Sequence, residues 1–227
     1  MHPAPSIIAF TVASGAGYGL LALAITAAIL GGLPDSRVFA FAVMALGAGL
    51  VGAGLVSSTF HLGHPERAWR ALSQWRTSWL SREGLAALVT FVPLALFGIG
   101  WVFLGATGGP WAFAGLLAVA GAIVSVGCTA MIYASLKPIR AWHTPWTVAT
   151  YYLFALASGS VLLAVLLHVF STSIWWADGL ALAALAAAWI AKLLYWRNID
   201  AAPAAGTPES ATGLGFLGKV RQIVPPH

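Results

Sequence analysis

Six apolar stretches, over 6–33, 38–61, 84–104, 111–136, 147–170 and 174–196, divide the chain, and each is near the ~20 residues that carry a helix across a ~30 Å hydrocarbon core. In hydrocarbon every backbone N–H and C=O must be paired inside the protein, which leaves helices or a closed barrel. Barrel strands alternate polar and apolar residues, and these stretches do not. The expected fold is all-α, a polytopic transmembrane helix bundle of about six spans. Only 7% of the 227 residues are charged, against roughly 25% in a soluble domain, so a water-facing surface cannot be built from them. Nucleic-acid binding is excluded on the same ground, because the net charge of +5 sits in short loops between apolar runs rather than on a soluble basic face.

The connections differ in chemistry from one side to the other. The segments 31–36, 105–110 and 171–173 are short and, in the first two, made of helix breakers. The opposite connections are long and basic: Arg67, Arg70, Arg76 and Arg82 lie between spans two and three, Lys137 and Arg140 between spans four and five, and Arg197, Lys219 and Arg221 after span six. That face holds nine Lys and Arg residues, while the opposite turns hold only Arg37. The positive-inside rule then places the N-terminus and everything from residue 197 onward in the cytoplasm. The Met1 to Ser6 segment lacks the basic region of a secretory signal, and the run after it is too long for a signal core, so the first helix is expected to be retained. The expected division is a transmembrane bundle over 1–197 and a cytoplasmic loop or tail over 198–227, whose Ala, Pro, Gly, Thr and Ser cannot bury a core. Cys128 is the only cysteine, so any iron–sulfur or molybdenum chemistry belongs to partners, and no metal site is expected in the chain itself.

Small residues recur in the second span (Gly47, Gly49, Gly52, Gly54) and the fourth (Gly115, Gly121, Gly127), where they permit close helix approach. Ionisable groups in or beside apolar spans are costly and default to functional candidates. His61 closes the second span and Glu83 opens the third, which puts both at the basic interface with His64 and His143. His168 follows Thr147 by about six turns, roughly 30 Å, so it belongs to the far face. Asp178, also at that face, is expected to cap the last helix. Trp69, Trp75, Trp79, Trp142 and Trp146 are expected to form an interfacial belt.

The run Phe60-His61-Leu62-Gly63-His64-Pro65-Glu66-Arg67-Ala68-Trp69-Arg70, followed by Ser78-Trp79-Leu80-Ser81-Arg82-Glu83, resembles the integral membrane anchor subunit of dimethyl sulfoxide reductase-type enzymes, the DmsC-like anchors. Met131-Ile132-Tyr133 and Trp142-His143-Thr144-Pro145-Trp146 look like the same family's fourth span and following loop. The resemblance implies eight spans where this chain has about six, so the sequence is expected to be either truncated or a short variant. It also implies an iron–sulfur subunit and a molybdopterin catalytic subunit as partners, which alone hold those cofactors, and exchange of electrons with membrane quinone, either menaquinone or ubiquinone. His61 and Glu83 match residues implicated in quinol handling, with Arg82 and His64 beside them. Histidine changes protonation near neutral pH and a carboxyl can relay protons, as two-electron quinone chemistry requires.

The residues alone leave another reading open, in which His61 caps a helix and Glu83 pairs with Arg82 or Arg67 as a solvated ion pair. Arg67, Arg70, Arg76, Lys137 and Arg140 set topology and attract anionic lipid; the resemblance adds docking of the iron–sulfur subunit. A basic signature loop puts the catalytic partners on the cytoplasmic face of a bacterial inner membrane, which suits a sulfite dehydrogenase type that reduces quinone. A quinol-oxidising anchor of a dimethyl sulfoxide or S-oxide reductase is the alternative. A b-type cytochrome, with ligands drawn from His61, His64 and His143, is a weaker one. A small transporter is weaker again, since no clear repeat or charged midplane is present.

Overall fold

The computed structural model describes residues 5–60, 64–170, 174–201, 206 and 208–219. Among them six helices are long and apolar enough to cross a membrane: α1 (Pro5–Ile29), α2 (Arg37–Thr59), α3 (Trp79–Gly98) continued by a π-helical turn over Ile99–Leu104, α4 (Pro110–Ala134), α5 (Pro145–Val169) and α6 (Trp175–Asp200). Local chemistry sets their starts. Ser36, Ser78 and Thr144 sit in extended backbone and accept hydrogen bonds from the amides of Phe39, Ser81 and Trp146. Pro110 and Pro145 occupy the first helical position, where the missing N–H costs nothing. At the other end of the third span, Gly105 takes φ 66° and stops the π turn.

The Ser78 cap moves one boundary that the hydropathy pattern places at residue 84. The third helix begins at Trp79, so Glu83 lies inside its second turn rather than at its mouth. Between α2 and α3 the chain forms a 3-10 helix over Pro65–Gln74 that rests against α3.

Within Met1–Tyr195, α1 is the central helix. Its Leu20, Leu21, Ala24 and Ile25 are almost wholly buried, and it packs on α2, α4 and α5, while α3 packs on α4. Two backbone approaches hold α1 in place. A Cβ on Gly19 would collide with the Ala155 carbonyl, and one on Gly159 with the Gly19 backbone, so α1 and α5 touch main chain to main chain. A Cβ on Gly17 would come within 2.6 Å of the Gly47 carbonyl, which does the same for α1 and α2. Of the glycines expected to serve packing, Gly47, Gly54, Gly115, Gly121 and Gly127 do so, whereas Gly49 and Gly52 face open space.

At the end opposite the basic loops, Phe39, Phe97, Trp101 and Phe170 form an aromatic plug with centroid separations of 5.5 to 6.4 Å, in which Phe39 meets Trp101 and Phe170 edge to face, and it ties α2, the end of the third span and α5 together. The sixth helix joins through an alanine stripe, Ala177, Ala181, Ala184, Ala188 and Ala191, whose alternating steps of four and three make one narrow buried face. Four hydroxyls inside the spans are satisfied locally, Ser14, Thr26, Thr90 and Ser158 each donating to the carbonyl four residues earlier. The outward surface carries Val12, Phe41, Val92, Phe113 and Leu182, all exposed, as a lipid-facing surface requires. In Trp196–His227, by itself, the described elements are the end of α6, the short helix α7 (Pro208–Thr212) and a 3-10 turn over Gly215–Leu217 with no buried side chain.

Candidate functional site

Glu83 is the one charged side chain in the buried core of the described residues, at 4% exposure. The Thr129 hydroxyl on α4 donates to its carboxylate and is also placed against the Ser125 carbonyl. No cation lies within salt-bridge range of Glu83 among the described residues. That overturns the solvated ion pair with Arg82 or Arg67. Counted from its helix end, Glu83 is only about 7 Å deep, as is Thr129 from the end of α4, so the carboxyl is shielded by packing rather than by depth.

Arg82 points the other way. Its guanidinium donates to the carbonyls of Trp75 (2.9 Å) and Arg76 (2.7 Å) and lies 4.3 Å over the Trp79 ring, stapling the loop to the start of α3. His64 is exposed and its Nδ1 pairs with Glu66 at 3.0 Å, so it does not share the Glu83 pocket. His61 lies outside the described residues. His143, on the loop after α4, is exposed and donates from Nδ1 to the Ala134 carbonyl at 2.6 Å.

The docking candidates all lie on one face of the bundle and are exposed. Arg67 comes within 3.8 Å of Glu66, Arg70 stacks 5.6 Å over Trp69, and Arg76 stacks 5.3 Å over Trp75, while Lys137 and Arg140 lie on the α4–α5 loop. Repeated Arg-over-Trp pairs suit the headgroup level, where a flat apolar ring and a cation are both solvated. On the far face His168 donates from Nε2 to the Asp178 carboxylate at 2.9 Å, and Asp178 sits in the first turn of α6. Asp178 thus lies inside the first turn of α6 rather than at its cap, and it bridges α5 and α6.

Glu83 opens through Thr129 onto a cavity that sequence reasoning did not find. It measures about 290 Å³ and lies between α1, α4 and α5, with Thr11, Ser14, Thr129, Thr150, Tyr151 and, from α6, Lys192 in its wall. Tyr151 of the cavity wall stacks on Tyr133, and Tyr133 meets Trp142 edge to face, which ties α5 to the loop after α4. Tyr195 holds the same loop by donating to the Ala141 carbonyl at 2.8 Å. Lys192 was readable, because an ionisable residue inside an apolar span is a candidate by rule. Thr129 was not, since nothing in one sequence pairs it with a carboxylate two loops away.

The profile of the DMSO reductase anchor subunit (DmsC) family matches residues 1–200. The chain is 41% identical over 180 residues to a sulfite dehydrogenase subunit of Allochromatium vinosum, covering 72% of this chain and 55% of that protein. It is 30% identical over 125 residues to the anaerobic dimethyl sulfoxide reductase chain YnfH of Escherichia coli, covering 52% of this chain and 42% of that protein. The chain thus spans about half the length of these curated relatives. No solved structure matches it.

Proposed function

The chain belongs to the DMSO reductase anchor subunit (DmsC) family, and on that premise we propose that it is the membrane anchor and quinone-reactive subunit of a molybdopterin and iron–sulfur oxidoreductase. It is a multi-pass membrane protein. In this reading the basic loops face the cytoplasm of a bacterial inner membrane and seat the iron–sulfur subunit, which connects to the molybdopterin subunit. The similarity to a sulfite dehydrogenase subunit favours sulfite as the electron source. Sulfite and water give sulfate, two protons and two electrons; a quinone takes two electrons and two protons to become quinol.

The observation that carries the reading is the buried Glu83, held by Thr129 at the cavity wall directly inside the basic face. A carboxyl so placed can pass protons between the loop side and a ligand within the bundle, while electrons arrive from a partner over the Arg-rich loop. His61, from the preceding span, would be the second proton-handling group. The quinone supplies the two-electron acceptor chemistry; the chain's own groups position it and supply protons. The test is purification from native membranes. The expected result is co-purification of an iron–sulfur protein and a molybdenum protein, with iron and molybdenum present and sulfite oxidation coupled to quinone. Retention of neither metal nor partner under conditions that keep the membrane complexes of the same cells intact would refute the anchor reading.

A further inference from the structure

Two cavities lie in series in the groove that α1 makes with α4 and α5. The first is the hydroxyl-lined one beneath Glu83, about 290 Å³. The second, about 240 Å³, continues toward the opposite end of the helices and is walled by Tyr18, Ala22, Leu23, Val119, Tyr152 and Leu156. Val126 and Ala155 line both, so the two share a partition of two small apolar side chains.

Their chemistries differ. The first presents the oxygens of Thr11, Ser14, Thr129, Thr150 and Ser158, together with the Tyr151 hydroxyl and the Lys192 ammonium. The second is lined mainly by ring faces and hydrocarbon: the Tyr152 hydroxyl donates to the Ile123 carbonyl at 2.9 Å and Thr26 to the Ala22 carbonyl at 2.7 Å, and the buried Tyr18 hydroxyl is the one polar side-chain group there without a partner among the described residues. The first cavity also reaches the outer surface of the bundle, because Val12 and Phe154 in its wall are 66% and 39% exposed. A groove that is polar at one end, apolar at the other and open sideways to lipid fits a ligand built the same way. Each compartment is near the lower end of the roughly 300–1,000 Å³ usual for small-molecule pockets, enough for one ring or a few isoprene carbons but not both.

We propose that this paired groove is the quinone seat, with the ring in the hydroxyl-lined cavity between Thr129 and Lys192 and the first isoprenoid units in the apolar cavity beyond Val126 and Ala155. The inference rests on the quinone-linked reading above and adds where the ring binds, which groups touch it and how it enters. Lys192 has the donors that a quinone carbonyl accepts, and the serine and threonine oxygens can accept from quinol hydroxyls. Thr129 joins ring to carboxyl. The ring takes two electrons from the iron–sulfur partner and two protons: with Glu83 protonated the contact reverses, its carboxyl O–H donating to Thr129 and the Thr129 hydroxyl to one ring oxygen, so that one proton moves inward and the threonine is unchanged, while the Lys192 ammonium gives the second proton to the other ring oxygen. Entry is from the lipid, past Val12 and Phe154.

The test uses the intact complex in native membranes and a short-chain azido-quinone as photoprobe, with labelled peptides mapped by mass spectrometry. Label is expected on α1 near residues 11–16 and on α5 near 150–158, displaced by excess unlabelled quinone and not by added phospholipid. Gly15→Leu fills the first cavity without a backbone collision, since the new Cβ would meet only the Ala155 Cβ, at 4.0 Å. It should abolish labelling and quinone-linked turnover, and Ser158→Leu, on the facing wall, repeats the block should the first variant fail to assemble. Turnover with a soluble electron carrier reports assembly. Lys192→Met should raise the KM for the short-chain quinone about tenfold, the effect of losing one charge-assisted hydrogen bond. Label confined to 61–79, displacement by phospholipid, or wild-type quinone rates in the filled variants would overturn the groove and leave the quinone reading standing. Absence of quinone-linked turnover in the wild-type complex would overturn both.

Discussion

Replacing Thr129 by valine removes one hydroxyl and keeps the branched shape of the side chain. In the wild-type chain that hydroxyl is the hydrogen-bond partner of a carboxyl that is 4% exposed. Leaving a buried polar group without a partner costs about 1–3 kcal/mol. If the proton transfer depends on the contact, the same energy appears in the barrier, and quinone-linked turnover falls roughly 5- to 150-fold. The assay compares membrane-embedded complexes by quinone-linked turnover, with turnover on a soluble electron carrier as the internal reference for assembly. Thr129→Ser restores the hydroxyl and should recover most of the rate. A Thr129→Val complex that turned over quinone at the wild-type rate would refute the relay. So would equal losses in the valine and serine variants, which would reduce Thr129 to a packing residue.

Three further outcomes follow from the fold. Gly19→Leu should lower the thermal stability of the detergent-solubilised chain by about 1–3 kcal/mol or block its accumulation, because its Cβ has no room against α5, whereas Gly49→Ala, facing open space, should leave the melting curve unchanged or slightly raised. Reversing charge at Arg67, Arg70 and Arg76 together should release the soluble partners from membranes while the anchor still inserts, read by fractionation; unchanged retention would leave those arginines as topology markers. A reporter fused after Arg197 should be active only as a cytoplasmic reporter, and one fused within 105–109 only as an external one, and the reverse pattern would move the partners to the other face.

The spans were legible because lipid and a helix interior make the same demand, so the outward Val92 and the inward Leu94 look alike in composition although only one is buried. The family was legible in the segments around His61 and Glu83, which match the family found over residues 1–200. Boundaries and contacts were harder. The start of α3 at Trp79, set by a single cap at Ser78, lies five residues ahead of the hydropathy change, and Glu83 stays at interfacial depth but is buried by the packing of α3 on α4. Arg82 precedes Glu83 in sequence, yet adjacent helical residues point apart, and it serves the loop carbonyls instead. Gly49 and Gly52 differ from Gly47 and Gly54 only in which way the helix faces, which requires its neighbours to be known. The cavity draws Thr11, Thr129, Thr150 and Lys192 from four helices, each an ordinary residue in its own span, and only the packing of α1 on α4 and α5 brings them together.

The most direct test of the quinone site is the pair His61→Ala and Glu83→Gln, with His168→Ala as a far-face control, each measured as the ratio of quinone-linked turnover to turnover with a soluble carrier. Glu83→Gln keeps the size and a hydrogen-bond acceptor for Thr129 and removes only the exchangeable carboxyl proton. The predicted result is a complex that assembles and turns over the soluble carrier normally but loses most of its quinone-linked rate at His61 and Glu83, with the His168 variant near wild type. Wild-type ratios in both site variants would contradict the assignment and move quinone chemistry to another part of the complex.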